Sequence, residues 1–210
     1  STEPDTVVNK RSRAYSFGLS GDISDAWAGG GTTAYSLTHY QGHLSGTGIS
    51  NTGNWHKTAY SLMRQQFVAD RLSLFLSFSG QLAGTNLDTS ERFSLGGATG
   101  VRADPSGEAS GDEAWLFSGE LRWQLPGHIG NGAMQLGLFS DTGVSLREKY
   151  PGVGSTDNRR SISAYGVNLM YTVPGDYYLK MTYARKAGSE AAKSDTDRTG
   201  RFWVQMGYFF

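Results

Sequence analysis

The chain has no cysteine, and only 5 prolines in 210 residues. Its 19 basic side chains are matched by 19 acidic ones. The missing thiols exclude a disulfide scaffold and a thiolate metal centre. The missing charge excess argues against a dedicated nucleic-acid binder, which carries a basic stripe. No apolar run approaches the ~20 residues that a membrane-spanning helix needs. The chain does not open on a basic-then-apolar leader, so any signal peptide is expected to have been removed or to lie outside it. Low average hydropathy would ordinarily imply a soluble protein. Membrane β-barrels are the exception, because lipid-facing and lumen-facing residues alternate along each strand.

Alternation is what the chain has in abundance. Leu72, Leu74, Leu76 and Phe78 interleave with Ser73, Ser77 and Ser79, Phe75 being the exception. Trp115, Phe117, Leu121 and Trp123 interleave with Ser118, Glu120, Arg122 and Gln124. Tyr165, Val167, Leu169, Tyr171 and Val173 form a third run, and Phe202, Val204, Met206, Tyr208 and Phe210 close the chain. The pattern predicts an all-β protein with ten strands, at 12–23, 32–43, 55–67, 71–84, 90–96, 114–125, 132–141, 161–173, 177–187 and 201–210. Long polar connections at 97–113, 142–160 and 188–200 alternate with tight ones such as Pro174-Gly175-Asp176, as short inner turns and long outer loops do in membrane barrels. Two connections break the rhythm. The link at Ala69-Asp70 should be a long outer loop and is very short, and the inner link at 44–54 is long. Arg64 also shares a face with Tyr60 and Leu62, which leaves the phase of that strand open.

A soluble sandwich or lipocalin-like barrel would alternate too. Three features favour lipid outside. The less apolar face is mostly Gly, Ser, Ala and Thr, too small to fill a soluble core. Tyr and Trp recur near strand ends, as interfacial girdles do. The last strand, Phe202 to Phe210, runs to the chain end on an aromatic residue. Its every-second apolar pattern resembles the C-terminal signal by which bacterial outer-membrane barrels are recognised for insertion, and Phe202, Val204, Met206, Tyr208 and Phe210 are the residues that would carry it.

Residues 91–122 contain Gly96-Gly97, Val101-Arg102-Ala103, Pro105, Gly107-Glu108, Gly111-Asp112 and Glu120-Leu121-Arg122. This order resembles the region around the long sixth outer loop of haemolysin secretion and activation proteins, the outer-membrane transporters of two-partner secretion. Phe139-Ser140-Asp141-Thr142-Gly143 resembles their Phe-x-Asp-x-Gly motif, and Asp197 to Trp203 their closing segment. Asp104 departs from the pattern, standing where the family has an aromatic residue. The resemblance covers residues 55–210 well and the first fifty weakly. It implies an antiparallel transmembrane β-barrel whose strands match the last ten of a sixteen-stranded family barrel, without the family's periplasmic polypeptide-binding domains. The chain is then either a fragment or a shortened natural barrel.

The resemblance also implies a loop folded into the lumen and a transport role. The loop motif would be Val101, Arg102, Ala103, Asp104 and Pro105. An arginine inside a barrel needs a carboxylate. Alternation from Leu136 and Leu138 turns Phe139 and Asp141 inward, so Asp141 is the expected partner of Arg102. Glu120 is the alternative, although Arg122 on its own strand is placed to engage it; Gly143 completes the lumen-wall set. The expected partners are a secreted polypeptide of haemolysin or adhesin type, outer-membrane lipid and, during insertion, the barrel-assembly machinery. No cofactor, metal or nucleic acid is expected. Two other readings remain: a passive pore, and a rim-active hydrolase using His39 with Asp22 on an adjacent strand. His43, His56 and His128 fit a catalytic scheme no better, and Asp195 and Asp197 could touch a cation. The sequence has no Gly-x-Ser-x-Gly, paired-histidine or phosphate-loop motif.

Overall fold

In the computed structural model, which describes residues 9–47, 51–153 and 156–209, alternation becomes one antiparallel meander. Its strands are β1 (Asn9–Asp25), β2 (Gly31–Thr47), β3 (Gly53–Ala69), β4 (Leu72–Ala83), β5 (Glu113–Gln124), β6 (Ala133–Leu146), β7 (Arg159–Val173), β8 (Tyr177–Lys186) and β9 (Gly200–Tyr208). Each pairs with its sequence neighbour, giving nine strands in chain order. Two short 3-10 turns, Trp27–Gly29 and Thr89–Glu91, are the helical elements among the described residues.

The expected strand at 90–96 is not part of the sheet. β4 pairs directly with β5, from Leu72 opposite Trp123 to Gln81 opposite Ala114. Residues 90–96 instead lie in a long loop, residues 84–112. There Asp88 caps the 3-10 turn, and Phe93 and Gly96 join isolated bridges. Phe93 and Leu95 do alternate with polar neighbours, but they pack against the loop's own Val101 and the sheet rather than beside a strand. Removing this strand inverts the phase of everything before it. The Ala69-Asp70 link then falls at the same end as 26–30, 125–132 and 174–176, where the connections are short. The 48–52 link falls at the end of the long loops 84–112, 147–158 and 187–199. The two misfits in the loop rhythm were consequences of one miscounted strand.

Register carries a single apolar face across the sheet. Leu37 lies opposite Leu19 and Tyr60, Leu62 opposite Phe78, Leu74 opposite Leu121, Leu138 opposite Val167, and Met181 opposite Val204. Leu72, Leu76, Leu136, Leu169 and Met206 share that face through the same ladders. Many of these side chains are exposed, Phe17 at 77% and Met206 at 69%. Arg64 is on this outer face, opposite Leu76, and bends to the turn end, where it meets Asp25 at 2.8 Å and lies over Trp27.

The apolar band drifts along the ladders. The row beginning at Leu19 reaches Ser161 on β7, about seven residues short of the band there at Val167 and Leu169. With standard strand dimensions, that is roughly 24 Å of drift over about 29 Å of sheet, a strand tilt near 40°. Membrane barrels tilt their strands by about this angle. The opposite face carries Ser61, Ser77, Ser79, Ala164, Gly166 and Thr182, and on it Leu95, Val101 and Ala103 of the long loop form a buried cluster with Phe139 and Ile162 of the sheet.

An arginine placed in the apolar band should cost about 2–4 kcal/mol. Leu74→Arg is expected to lower the yield of heat-modifiable folded protein, and Ser73→Arg, on the opposite face, to be tolerated. The reverse order would invert the faces.

Candidate functional site

The long loop is drawn together by its own backbone. Phe93 and Gly111 exchange two hydrogen bonds of 2.9 Å at its base, and the Val101 amide donates to the Leu95 carbonyl at 2.7 Å. Two glycines permit this close approach. A Cβ on Gly96 would lie 2.3 Å from the Pro105 carbonyl oxygen, and one on Gly100 would lie 1.9 Å from that of Leu95. The tip therefore folds back over the sheet, and Val101, Arg102, Ala103, Asp104 and Pro105 are all buried.

Arg102 is the centre of the site. Its Nε and one terminal nitrogen donate to the two Asp141 oxygens, each at 2.8 Å, and its own amide reaches the same carboxylate at 3.2 Å. Its other terminal nitrogen donates to Glu120 at 2.9 Å. Asp141 and Glu120 lie on adjacent strands, β6 and β5, with their side chains on the loop-covered face, as alternation required. Ser118 donates to Asp141 at 2.7 Å, and Arg122 holds the second Glu120 oxygen at 2.8 Å. The guanidinium carbon sits 3.3 Å from the centre of the Phe139 ring, a stacked cation–π contact. Two guanidinium groups and two carboxylates are thus paired in a site where the Arg102, Asp141 and Glu120 side chains are 6%, 0% and 4% exposed. A bidentate arginine–carboxylate pair is among the stronger hydrogen-bonded arrangements available. Gly143 contributes space: a Cβ there would lie 2.8 Å from Leu95.

Asp104, the departure from the family pattern, has an ionic partner in place of an aromatic packing surface. Its carboxylate lies 3.1 Å from Lys186 at the end of β8, and Lys186 also holds Asp197 at 2.6 Å. The Asp104–Lys186 contact is charge against charge rather than an aligned hydrogen bond. Burial raises the Asp104 carboxyl above its ordinary range against the opposing pull of Lys186. Nearby, Glu108 pairs with Arg160 at 2.9 Å and accepts from the Lys193 and Ser194 amides and the Ser194 hydroxyl, each at 2.8 Å. Burial alone would raise Glu108, but the hydrogen bonds from Ser194 and Lys193 and the Arg160 charge outweigh it and hold the group low. The indole of Trp203 donates to the Arg102 carbonyl at 2.7 Å. The loop is thus held to β5, β6, β7, β8, β9 and the loop at 187–199.

Sequence reading missed Ser118, Trp203, Lys186, Arg160 and the partners of Glu108. Trp203 had a signal, since the family-like closing segment contains it and alternation turns it inward. The lysine and arginine contacts depend on loop paths that no local pattern encodes.

Other sequence candidates separate in space. Asp22 and His39 are on adjacent strands but opposite faces: Asp22 pairs with Ala34, and His39 with Phe17 on the apolar side. They do not form a dyad. His39 is bonded to Thr58 and His43 to Asn54, while His128 lies exposed in the 125–132 turn. Asp197 is occupied by Lys186 and the Ala192 amide, and Asp195 meets Arg201, so neither aspartate is arranged around a cation. Phe202, Val204, Met206 and Tyr208 line the apolar face of β9, whereas Phe210 lies outside the described residues.

A tilted antiparallel meander with one apolar face, and an inward-folded loop ion-paired to the other, is the wall of a transmembrane β-barrel of outer-membrane type. The profile of the Omp85 superfamily domain matches residues 21–210, and the chain belongs to that superfamily. It is 26% identical over 188 residues to the heme/hemopexin transporter protein HuxB of Haemophilus influenzae strain 86-028NP, across 84% of this chain and 33% of that protein. Its fold is that of CdiB from Escherichia coli, with a TM-score of 0.71 and 18% identity over 92% of this chain and 36% of that one. The chain spans about a third of the length of the curated relatives it matches.

Lys186→Met should strand the Asp104 carboxylate, and an unpaired buried charge costs about 3–5 kcal/mol. Limited proteolysis should then cut faster within residues 97–112, and the Asp104→Asn/Lys186→Met double variant should recover protection. Unchanged cleavage in the single variant would show that this pair does not hold the tip.

Proposed function

We propose that the chain is part of an outer-membrane transporter barrel that passes a partner polypeptide outward, with the 84–112 loop as a plug pinned in the lumen. The carrying observation is the buried cluster of Arg102, Asp141 and Glu120. It ties a loop far longer than a hairpin needs to the polar wall instead of leaving it in solvent. Superfamily membership and the likeness to a named transporter support the same reading. The cargo would be a secreted partner of haemolysin or adhesin type. A wall of Ser, Thr, Gly, Gln and charges lets an unfolded polypeptide pass without sticking, and folding outside supplies direction where no nucleotide is at hand. The location is the outer membrane of a Gram-negative bacterium, crossed by many strands.

In this reading, Arg102, Asp141, Glu120, Arg122 and Phe139 set whether the plug is in or out, while the sheet's hydrogen bonds stand without them. Arg102→Ala or Asp141→Ala should therefore leave barrel insertion unchanged and sharply reduce export of the partner, measured as partner released to the medium. Normal export by both variants would defeat the plug assignment. The final strand would carry the insertion signal for the barrel-assembly machinery. Phe210→Ser should lower the amount of protein in the outer membrane more than it lowers refolding into synthetic vesicles, and equal losses would remove that role.

A further inference from the structure

The apolar face has a cationic region at one edge. On β1 the exposed aromatic and aliphatic side chains run from Ile23 to Tyr15 and then stop. The next outward positions toward the long-loop end are Arg13 and Arg11. Register sets Arg13 opposite His43, and His43 opposite Asn54, while Arg11 faces Ser45. Arg13, Tyr15, Gln41, His43 and Asn54 line an open recess of about 410 Å³ on this face. His43 holds Asn54 through Nδ1 at 2.8 Å, which leaves Nε2 turned away from that contact. Both arginines are exposed, and among the described residues neither has a carboxylate within ion-pair distance. The outward positions of β1, β2 and β3 beyond the apolar band include no Asp or Glu.

Height makes this region informative. Arg13 is two residues beyond Tyr15, about 7 Å along the strand, or roughly 5 Å along the membrane normal at the tilt derived above. Aromatic side chains such as Tyr15 mark the boundary between hydrocarbon and headgroups. Two guanidinium groups just above that boundary, on the lipid side, lie at the level of headgroup phosphates. Guanidinium recognises phosphate in a bidentate manner, and a cation near a charged membrane surface contributes about 1 kcal/mol.

We infer that Arg11, Arg13 and His43 form a site on the outer wall for the phosphorylated headgroup of a glycolipid in the outer leaflet. The inference rests on the outer-membrane reading given above. The long-loop end faces outward in such barrels, so the leaflet in contact is the external one. The open recess beside Tyr15 gives room for a sugar carrying the phosphate, with Gln41 and Asn54 as hydrogen-bonding groups for its hydroxyls. Pairing of a further strand along β1 would leave these side chains on the same face.

The test uses protein extracted from its own outer membrane in mild detergent. Native mass spectrometry would count bound bisphosphorylated lipid A, and titration would compare it with dephosphorylated lipid A, phosphatidylglycerol and inorganic phosphate. Wild type is expected to retain bisphosphorylated lipid A in preference to the other three. Arg11→Gln/Arg13→Gln should bind it about thirtyfold more weakly, as loss of two surface cations predicts, with an unchanged heat-modifiable band. Equal binding by the double variant, or equal affinity for dephosphorylated lipid A, phosphatidylglycerol or phosphate alone, would overturn the site. Absence of the protein from the outer-membrane fraction would overturn both this inference and the reading beneath it, whereas presence without lipid preference would overturn the inference alone.

Discussion

A guanidinium removed from water demands neutralisation, and much of the described wall is arranged around that demand. Arg102 enters the inner face from a loop, so the strands beneath must present acids at the right height. Asp141 and Glu120 do so from neighbouring strands, and Ser118 completes the Asp141 oxygens. Arg122 then balances the second acid. Removing Arg102 leaves the buried Asp141 carboxylate without its charged partner, which is far more costly than replacing the whole set with apolar groups. An arrangement of this kind contributes less to overall stability than to choosing one loop position among many. The loop's glycines serve the same end, since only close backbone approach lets the arginine reach down while Pro105 stays covered.

The faces of the sheet were legible because alternation is local: each Leu or Tyr reports its side through its immediate neighbours. The Arg102–Asp141 approach could be read by joining two facts, a motif that implies an inward loop and the parity of residue 141 relative to Leu136 and Leu138. Strand count was harder. Phe93 and Leu95 alternate like strand residues, yet their apolar side chains serve a folded loop, and period two cannot distinguish those roles. The Asp88 cap and the Gly96-Gly97 pair were the local evidence against a strand.

The ties at Asp104, Glu108 and Trp203 were less legible for a different reason. Trp203 bonds a carbonyl 101 residues earlier in the chain, and Ser194 bonds a carboxylate 86 residues earlier. Such pairs are set by where two loops meet, after the sheet has brought their ends together. Asp104 shows how misleading one position can be. A carboxylate cannot pack as an aromatic ring does; beside Lys186, it is instead one half of an ion pair whose other half sits at the end of β8.

The number of strands has a directional consequence. In a meander of nine, the first and last strands run the same way, since each hairpin reverses the chain and there are eight reversals. Were Asn9–Asp25 and Gly200–Tyr208 to meet directly, their ladder would be parallel, with slanted bonds and slightly weaker pairing per residue. An antiparallel seam needs an odd number of further strands between them, starting and ending in the opposite sense. In hydrocarbon no edge can be left bare. For an antiparallel seam, the shared direction of the first and last strands thus sets the parity of any strands between them.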